Sequence, residues 1–557
     1  MHYTISYGNP NKHIIDIALK LSNIEQDQII LNLPSWRPGR YTIQNFAKNI
    51  MNIKAYDENG NTIAYNKLTK DKWIVESVGL KQLTIKYSYY AFLMDAGNSW
   101  LDEEQLYINF INCLLYAEGR LSESCSVEIK VPEDYQFATG LAQVGPQLFK
   151  TDNYYHLVDS PLVATKKLKK ISYEVQGYQF YLWIVGEFPR TEEDVVHDFR
   201  RFTELQIEVM GGFPCKDYHF IYQCLPYRHY HGVEHWNSTV ITLGPSSELN
   251  ERPLYKEFLG VSCHELFHTW NVIRLRPKEM VPYDFQSENY HETGFVTEGV
   301  TTYYGDLFLQ RSGVFSLEEY LIELNKLLER HYLNDGRKNM SVASSSYDLW
   351  LDGYEKGVPG RKVSIYNEGA LLALILDLKI RIKTDHKKSL DDVMKLMWIR
   401  FGENQKGYTF EDYQQICEEV YESSLSDYFE HYISGTESFE KELSILFPQF
   451  GLNFELKSSA KPEEKRFGIK VTEQGGRHFI DALAPNSPAE EVLSLKDEVL
   501  NYGTLDFEKS QTIQLEINRF GRKLNFELTA DEGNYFSIYQ VSLSDQGEMA
   551  RNQWLGE

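Results

Sequence analysis

His264-Glu265-Leu266-Phe267-His268 constrains this chain more than any other stretch. Two histidines four apart share one face of an α-helix, so both imidazoles reach a single metal ion only if the segment is helical. The glutamate after the first histidine then stands beside a water on that ion, where a carboxylate can act as general base. Cys263, Leu266, Phe267 and Trp270 make the rest of the segment apolar, which sends the pair towards a buried or cleft environment. The bland alternative is coincidence on an amphipathic helix. With 15 histidines in the chain, roughly 0.03 such pentads arise by chance, so that alternative is weak.

Zinc in a catalytic site takes three protein ligands and keeps a fourth position for water, so a third donor should follow. The downstream acids include Glu279, Asp284, Glu288, Glu292, Glu298 and Asp306. Glu298 lies inside FVTEGVTTYY (295–304), a helical run with apolar neighbours, and is the acid expected to point inward. The others sit mostly in polar, turn-rich sequence, where a solvated charge is the simpler reading.

The surrounding chain reads as multidomain α+β. In the first third, HIIDIALKL, QIILNLP, WIVESV and LTIKYSYY alternate or run β-branched between turn signals such as Glu58-Asn59-Gly60-Asn61. TEEDVVHDFRRFTELQIEVM has acids in its first turn and Gly211-Gly212 as its stop, so it predicts a helix; the strand HFIYQCLPY follows. Helices are then expected from Pro253 to Tyr432, among them FLGVSCHELFHTWNVI, SLEEYLIELNKLLERHYL, NEGALLALILDLKIRI and SLDDVMKLMWIRF. After KSSAKPEEKR (457–466) short strands return with one helical piece. The expected order is an all-β domain over residues 1–170, a mainly helical domain over 171–450 and a small β-rich domain over 455–545.

Composition excludes some partners. Lys and Arg total 57 against 80 Asp and Glu, a net charge of −23 that repels phosphate backbones and argues against nonspecific nucleic-acid binding. The longest aliphatic run, Ala370 to Leu376, is far short of the ~20 residues a membrane-spanning helix needs. Six cysteines without a CxxC pair are too sparse for a disulfide scaffold. The N-terminus alternates like strands rather than reading as a signal peptide, so a cytoplasmic address is expected.

HELFHTWNVIRLRP followed by TEGVTTYYGDLFLQRSG is similar to the glycyl aminopeptidase family of thermolysin-like (gluzincin) zinc peptidases. LPSWRPGRY (33–41) resembles the family's N-terminal PxWxPGxY signature, and YNEGAL (366–371) with LILDLKIR resembles its YxKGALxAxxLDxxIR segment. SLDDVMKLMWIRFG resembles its next helix, and the C-terminal part looks like its PDZ domain. The resemblance implies an N-terminal β domain, a thermolysin-like helical catalytic domain and a PDZ-like β-rich domain. It implies Zn2+ on His264, His268 and Glu298, with Glu265 as the base. Tyr366 precedes a strongly apolar helix, as does the family tyrosine whose hydroxyl steadies the oxyanion. Glu368 replaces a common lysine.

His231-Gly232-Val233-Glu234-His235 also fits the inverted zinc motif HxxEH. That motif needs a helix, whereas strand-like sequence flanks this one and Gly232 sits inside it, so by itself it reads as a polar loop beside a strand. The resemblance implies an edge strand that binds substrate backbone, with His235 beside the substrate and Glu234 accepting a free N-terminal ammonium; His231 stands where the family usually has glycine. RFGI (466–469), SPA (487–489) and DEVL (497–500) follow a PDZ order. Two readings stay open for this module: capture of a C-terminal peptide, or a small sandwich that caps the helical domain. For the whole chain, the leading expectation is a zinc aminopeptidase that removes small N-terminal residues, Gly or Ala, from peptides with a free N-terminus. An endopeptidase with the same site and an inactive scaffold with a peptide-binding PDZ-like module are the competing readings.

Overall fold

The computed structural model describes residues 1–556. The N-terminal part is all β. One eight-stranded sheet runs in the order Ala142–Gly145, Leu148–Thr151, Cys125–Ile129, His2–Tyr7, Ile14–Ser22, Gln82–Tyr90, Ile50–Tyr56 and Thr62–Ile63. Two four-stranded sheets pack with it. Strict alternation explains why these segments become strands: Ile15, Ile17, Leu19 and Leu21 are buried opposite Tyr89, Tyr87, Ile85 and Leu83 in antiparallel register.

A five-stranded sheet follows. Its strands are β1 (Lys169–Val175), β2 (Tyr178–Val185), β3 (Asp217–Cys224), β4 (His229–His235) and β5 (Ser238–Gly244), in the order β1-β2-β3-β5-β4. The helix α1 (Glu192–Met210) crosses between β2 and β3, which are parallel. Thr191 caps its start and Gly211, at φ +81°, ends it, as the acid-rich start and glycine stop predicted. β4 is an edge strand, paired antiparallel with β5 alone.

The helices that bear on the site are α2 (Arg252–Phe267), α3 (Thr301–Arg311), α4 (Leu317–Tyr332) and α5 (Ile365–Lys383). α3 is preceded by a π-helical turn, Phe295–Val300. The expected helix over FLGVSCHELFHTWNVI ends early: α2 stops at Phe267, and residues 268–274 are turns. The reason is local. His268 Nδ1 donates to the Asn271 carbonyl at 2.7 Å, and the Asn271 amide donates to Val296 O and Thr301 Oγ1 at 2.9 and 3.0 Å. The backbone bonds here loosen from i→i−4 (Asn271 to Phe267, Val272 to His268) to i→i−5 (Ile273 to His268, Leu275 to Trp270), so the regular helix gives way to wider turns.

LPSWRPGRY docks the β domain onto the helical one. Trp36, fully buried, donates through Nε1 to Asp284 O at 2.7 Å and packs edge-on against Trp350 at 4.9 Å.

The C-terminal part has its own small core around Phe467, Ile480, Leu515 and Leu528. Its antiparallel sheet is β6 (Ile469–Gln474), β7 (Arg477–Leu483), β8 (Glu498–Val499), β9 (Thr512–Arg519) and β10 (Arg522–Thr529), in chain order. Its α-helical piece is Pro462–Phe467, ended by Gly468 at φ +72°, and the segment from Asn486 to Leu495 is a series of turns. The chain then returns. Ile538–Leu543 pairs with Leu452–Lys457, and helix α6 (Glu548–Leu555) lies against α3. Trp554 donates to Tyr303 O–H, and Tyr303 donates to Asp377, at 2.9 and 2.7 Å. No helix among the described residues is long and apolar enough to cross a membrane.

Trp554→Ala removes a fully buried indole from this junction. It is expected to forfeit ~3–5 kcal/mol of packing and to lower Tm in calorimetry. An unchanged Tm would mean that α6 does not hold α3 and α5 together.

Candidate active site

His264 and His268, at the end of α2, turn their rings towards each other with Nε2 atoms 3.0 Å apart. Glu298 Oε2 lies 3.8 Å from His264 Nε2 and 3.4 Å from His268 Nε2. The bond to the Asn271 carbonyl fixes the proton on His268 Nδ1 and leaves the Nε2 lone pair facing the other two donors. Ligands ~2.0–2.1 Å from a tetrahedral ion stand roughly 3.3 Å from one another, so these spacings suit zinc without rearrangement. Three carboxylates, Glu234, Glu265 and Glu298, surround the pair and are almost fully buried. Burying like charges is costly without a compensating cation, and this centre has the form of a cation hole.

Electrostatics report the same crowding. Burial opposes the His268 imidazolium, yet Glu298 and Glu234 push its pKa up to about 10. Burial opposes ionisation of Glu298 as well, but His268 and His264 hold its carboxyl down at about 2. Glu265 is raised well above the carboxylate range by burial, with Glu234 and Glu298 adding to the effect. Burial lifts Glu234 to about 7.

Four glycines allow this density. Gly232 on β4 lies flat against the Glu265 carboxylate, where any Cβ would collide with Oε1. Gly39, at φ +74°, does the same for Glu234: a Cβ would stand 2.6 Å from Oε2. Gly299 and Gly369 let the Glu298 turn and α5 cross almost backbone to backbone, a Cβ on Gly299 falling 2.5 Å from Gly369 Cα. That crossing brings Tyr366, in the first turn of α5, to Glu298. The Tyr366 phenol is raised well above its ordinary range by burial and by Glu298, so it remains a hydrogen-bond donor.

A second trio of potential ligands, Glu234, Glu265 and His268, also has donor atoms within 4.8 Å of one another. It shares His268 with the first. Its two glutamates are therefore neighbours of the cation position rather than a separate site. Glu265 Oε2 and Glu234 Oε1 accept no hydrogen bond.

The expected residues do not all meet. His264, Glu265, His268, Glu298, Glu234 and Tyr366 converge. His235 does not: strand alternation turns it to the face opposite Glu234, where its Nδ1 pairs with Asp159 at 2.9 Å. His231 shares that opposite face and lies 4.0 Å from Asp95, so HxxEH forms no two-histidine ligand face. Glu368, in place of the family's lysine, is buried against His331 Nδ1 at 2.8 Å.

Sequence reasoning missed Tyr354 and Tyr41. The Tyr354 hydroxyl accepts from Tyr41 N–H at 3.1 Å and reaches the Tyr366 hydroxyl. Tyr41 and Tyr354 both feel the charges of Glu298 and Glu234. Pro38-Gly39 marked a turn in the sequence, but nothing there said which side chains the turn would hold.

A helical HExxH pair, a glutamate from the next helix and an N-terminal β domain closing over them define a zinc metallopeptidase of the aminopeptidase type. The N-terminal domain model of the M61 peptidases matches residues 2–166, and the M61 glycyl aminopeptidase model matches residues 257–372. The chain belongs to this family. It is similar over its whole length to an aminopeptidase N family protein from Idiomarina loihiensis, with 26% identity, TM-score 0.91 and 100% and 99% of the two chains covered. An M1 zinc metallopeptidase from Deinococcus radiodurans is a more distant likeness, with 14% identity, TM-score 0.49 and coverage of 78% and 94%. No curated protein matches the sequence.

Glu298→Ala is expected to lose most of the bound zinc, whereas Glu292→Ala, a change at an exposed side chain, keeps it. Elemental analysis of the two purified variants checks this, and equal metal loss would reject Glu298 as the third ligand.

Proposed function

We propose that this centre removes small N-terminal residues, Gly or Ala, from peptides with a free amine. His264, His268 and Glu298 hold Zn2+, Glu265 is the base, Tyr366 is the oxyanion donor and Glu234 is the ammonium acceptor. When bound, zinc supplies Lewis acidity, polarising the scissile carbonyl and acidifying a water.

The chain's own groups do the rest. Glu265 is wedged between β4 and His268, takes the proton of the attacking water and returns it to the leaving amine nitrogen. Burial and the neighbouring carboxylates raise its proton affinity, which favours the first transfer, from water to Glu265. Tyr366 O–H donates to the carbonyl oxygen as negative charge develops there. Tyr354, fixed by Tyr41, orients that hydroxyl.

The observation that carries the exopeptidase reading is Glu234. Glu234 is 4% exposed, its Oε1 has no hydrogen-bond partner, and its carboxylate lies within 4.8 Å of ligand atoms of Glu265 and His268. A buried carboxylate oxygen without a partner is unfavourable, and a substrate ammonium supplies the missing charge-assisted bond. The family's description as glycyl aminopeptidases supports a small first residue, as does the tight packing of Gly39 on this carboxylate.

Glu265→Gln preserves shape but cannot accept a proton. It should keep its zinc and lose at least ~10²-fold in kcat. Near-normal hydrolysis by the zinc-loaded variant would remove Glu265 from this role.

Glu234→Ala should stay folded and metal-bound while kcat/KM for free-amine p-nitroanilides falls roughly ten- to 150-fold, the value of a ~1.5–3 kcal/mol charged hydrogen bond. The gap between free and N-acetylated substrates should narrow in parallel. If the variant prefers free amines by the wild-type ratio, Glu234 is not the ammonium site; if N-blocked peptides are cleaved as well as free ones, the enzyme is an endopeptidase.

A further inference from the structure

Glu234 closes one end of the centre. The Gly39 backbone presses on its carboxylate, so a chain whose amine rests there has no room to continue past it. The rest of a bound peptide must leave by another side, and Tyr366 is the residue of the centre that lines an open groove.

A groove of about 750 Å3 begins at that tyrosine, a size within the ~300–1,000 Å3 of ordinary ligand clefts. Tyr366, Leu349 and Val358 line one wall, and Ala482, Leu483 and Leu495 of the C-terminal domain line the other. The Lys356–Asp481 ion pair, at 3.2 Å, ties the two walls together. The strand β7 has an open edge here. β8 pairs only with His478 and Phe479, and Lys496 and Asp497 still meet Ile480, but Ala482 and Leu483 have a strand partner, β6, on one side only, and Asp481 bulges out of that pairing. Such an edge offers unpaired backbone groups to an extended chain. Acids outnumber bases along the groove, Asp335, Glu355, Asp481 and Glu490 against Lys356 and Lys362, which disfavours acidic substrates.

We propose that the C-terminal domain is a substrate wall. The groove carries the peptide downstream of the scissile bond, so the preferred substrates are extended oligopeptides rather than dipeptides or amino-acid anilides. The inference rests on the aminopeptidase reading above and goes beyond it by giving this domain a part in substrate choice.

The test uses the full-length zinc-loaded enzyme with alanine p-nitroanilide and alanine oligopeptides from two to six residues. kcat/KM should rise at least about tenfold from the dipeptide to the hexapeptide. Ala482→Trp and Leu495→Arg should each lower the hexapeptide-to-anilide ratio by about tenfold, with zinc content unchanged. Leu495 is exposed, so its variant decides the matter if Ala482→Trp does not fold. A flat length series, or an unaltered ratio in the folded variants, overturns the groove while leaving the aminopeptidase reading intact. Failure of the wild type to cleave any free-amine substrate overturns both.

Discussion

Five titratable side chains share one small buried volume. Glu234, Glu265 and Glu298 stand around His264 and His268, with little water to screen them. In a medium of low effective dielectric, three neighbouring carboxylates are strongly unfavourable unless positive charge compensates them. That requirement sets the rest of the architecture. In the proposed reading, one compensating charge is a metal held by His264, His268 and Glu298, and a second is an ammonium beside Glu234. Glu265 stands between them as the proposed base.

Holding such a cluster together demands close backbone approaches, and these come from several domains. Gly232 comes from an edge strand, Gly39 from the β domain, and Gly299 and Gly369 from crossing helices. Each removes a Cβ where a carboxylate or a second backbone must pass. The β domain therefore does more than cap the helical part: its loop at 35–41 is anchored by Trp36 and supplies the surface against which Glu234 rests. The C-terminal domain is held to α3 by Trp554 and adds the second wall of the groove at Tyr366.

Where expectation and structure part, tertiary contacts are the reason. Apolar periodicity extends the zinc helix to Ile273, but its regular turns end at Phe267 as the backbone bonds widen, and the Asn271 side chain ties that segment to the helix that carries Glu298. His235 was expected beside the substrate together with Glu234, yet the two-residue period of a strand puts consecutive side chains on opposite faces, and of the two only Glu234 looks into the centre. Tyr354 lies in an irregular segment whose sequence carries no periodic signal, and only its partners, Tyr41 and Tyr366, give it a place.

The sequence alone determined the local chemistry. An HExxH pentad on an apolar helix and a single acid in the following helical run with apolar neighbours are short-range patterns, legible because helix geometry fixes which side chains share a face; the tyrosine before the apolar helix stood out only through the family resemblance. The alternation of the first third likewise determined its strands. The sequence could not determine which distant segments share a volume. The packing of Gly39 on Glu234, the crossing of Gly299 with Gly369 and the meeting of Tyr366 with the C-terminal sheet join residues far apart in the chain. Such contacts depend on the summed packing of whole domains, which no local pattern encodes, so only the tertiary structure decided that these groups form one centre with one closed end.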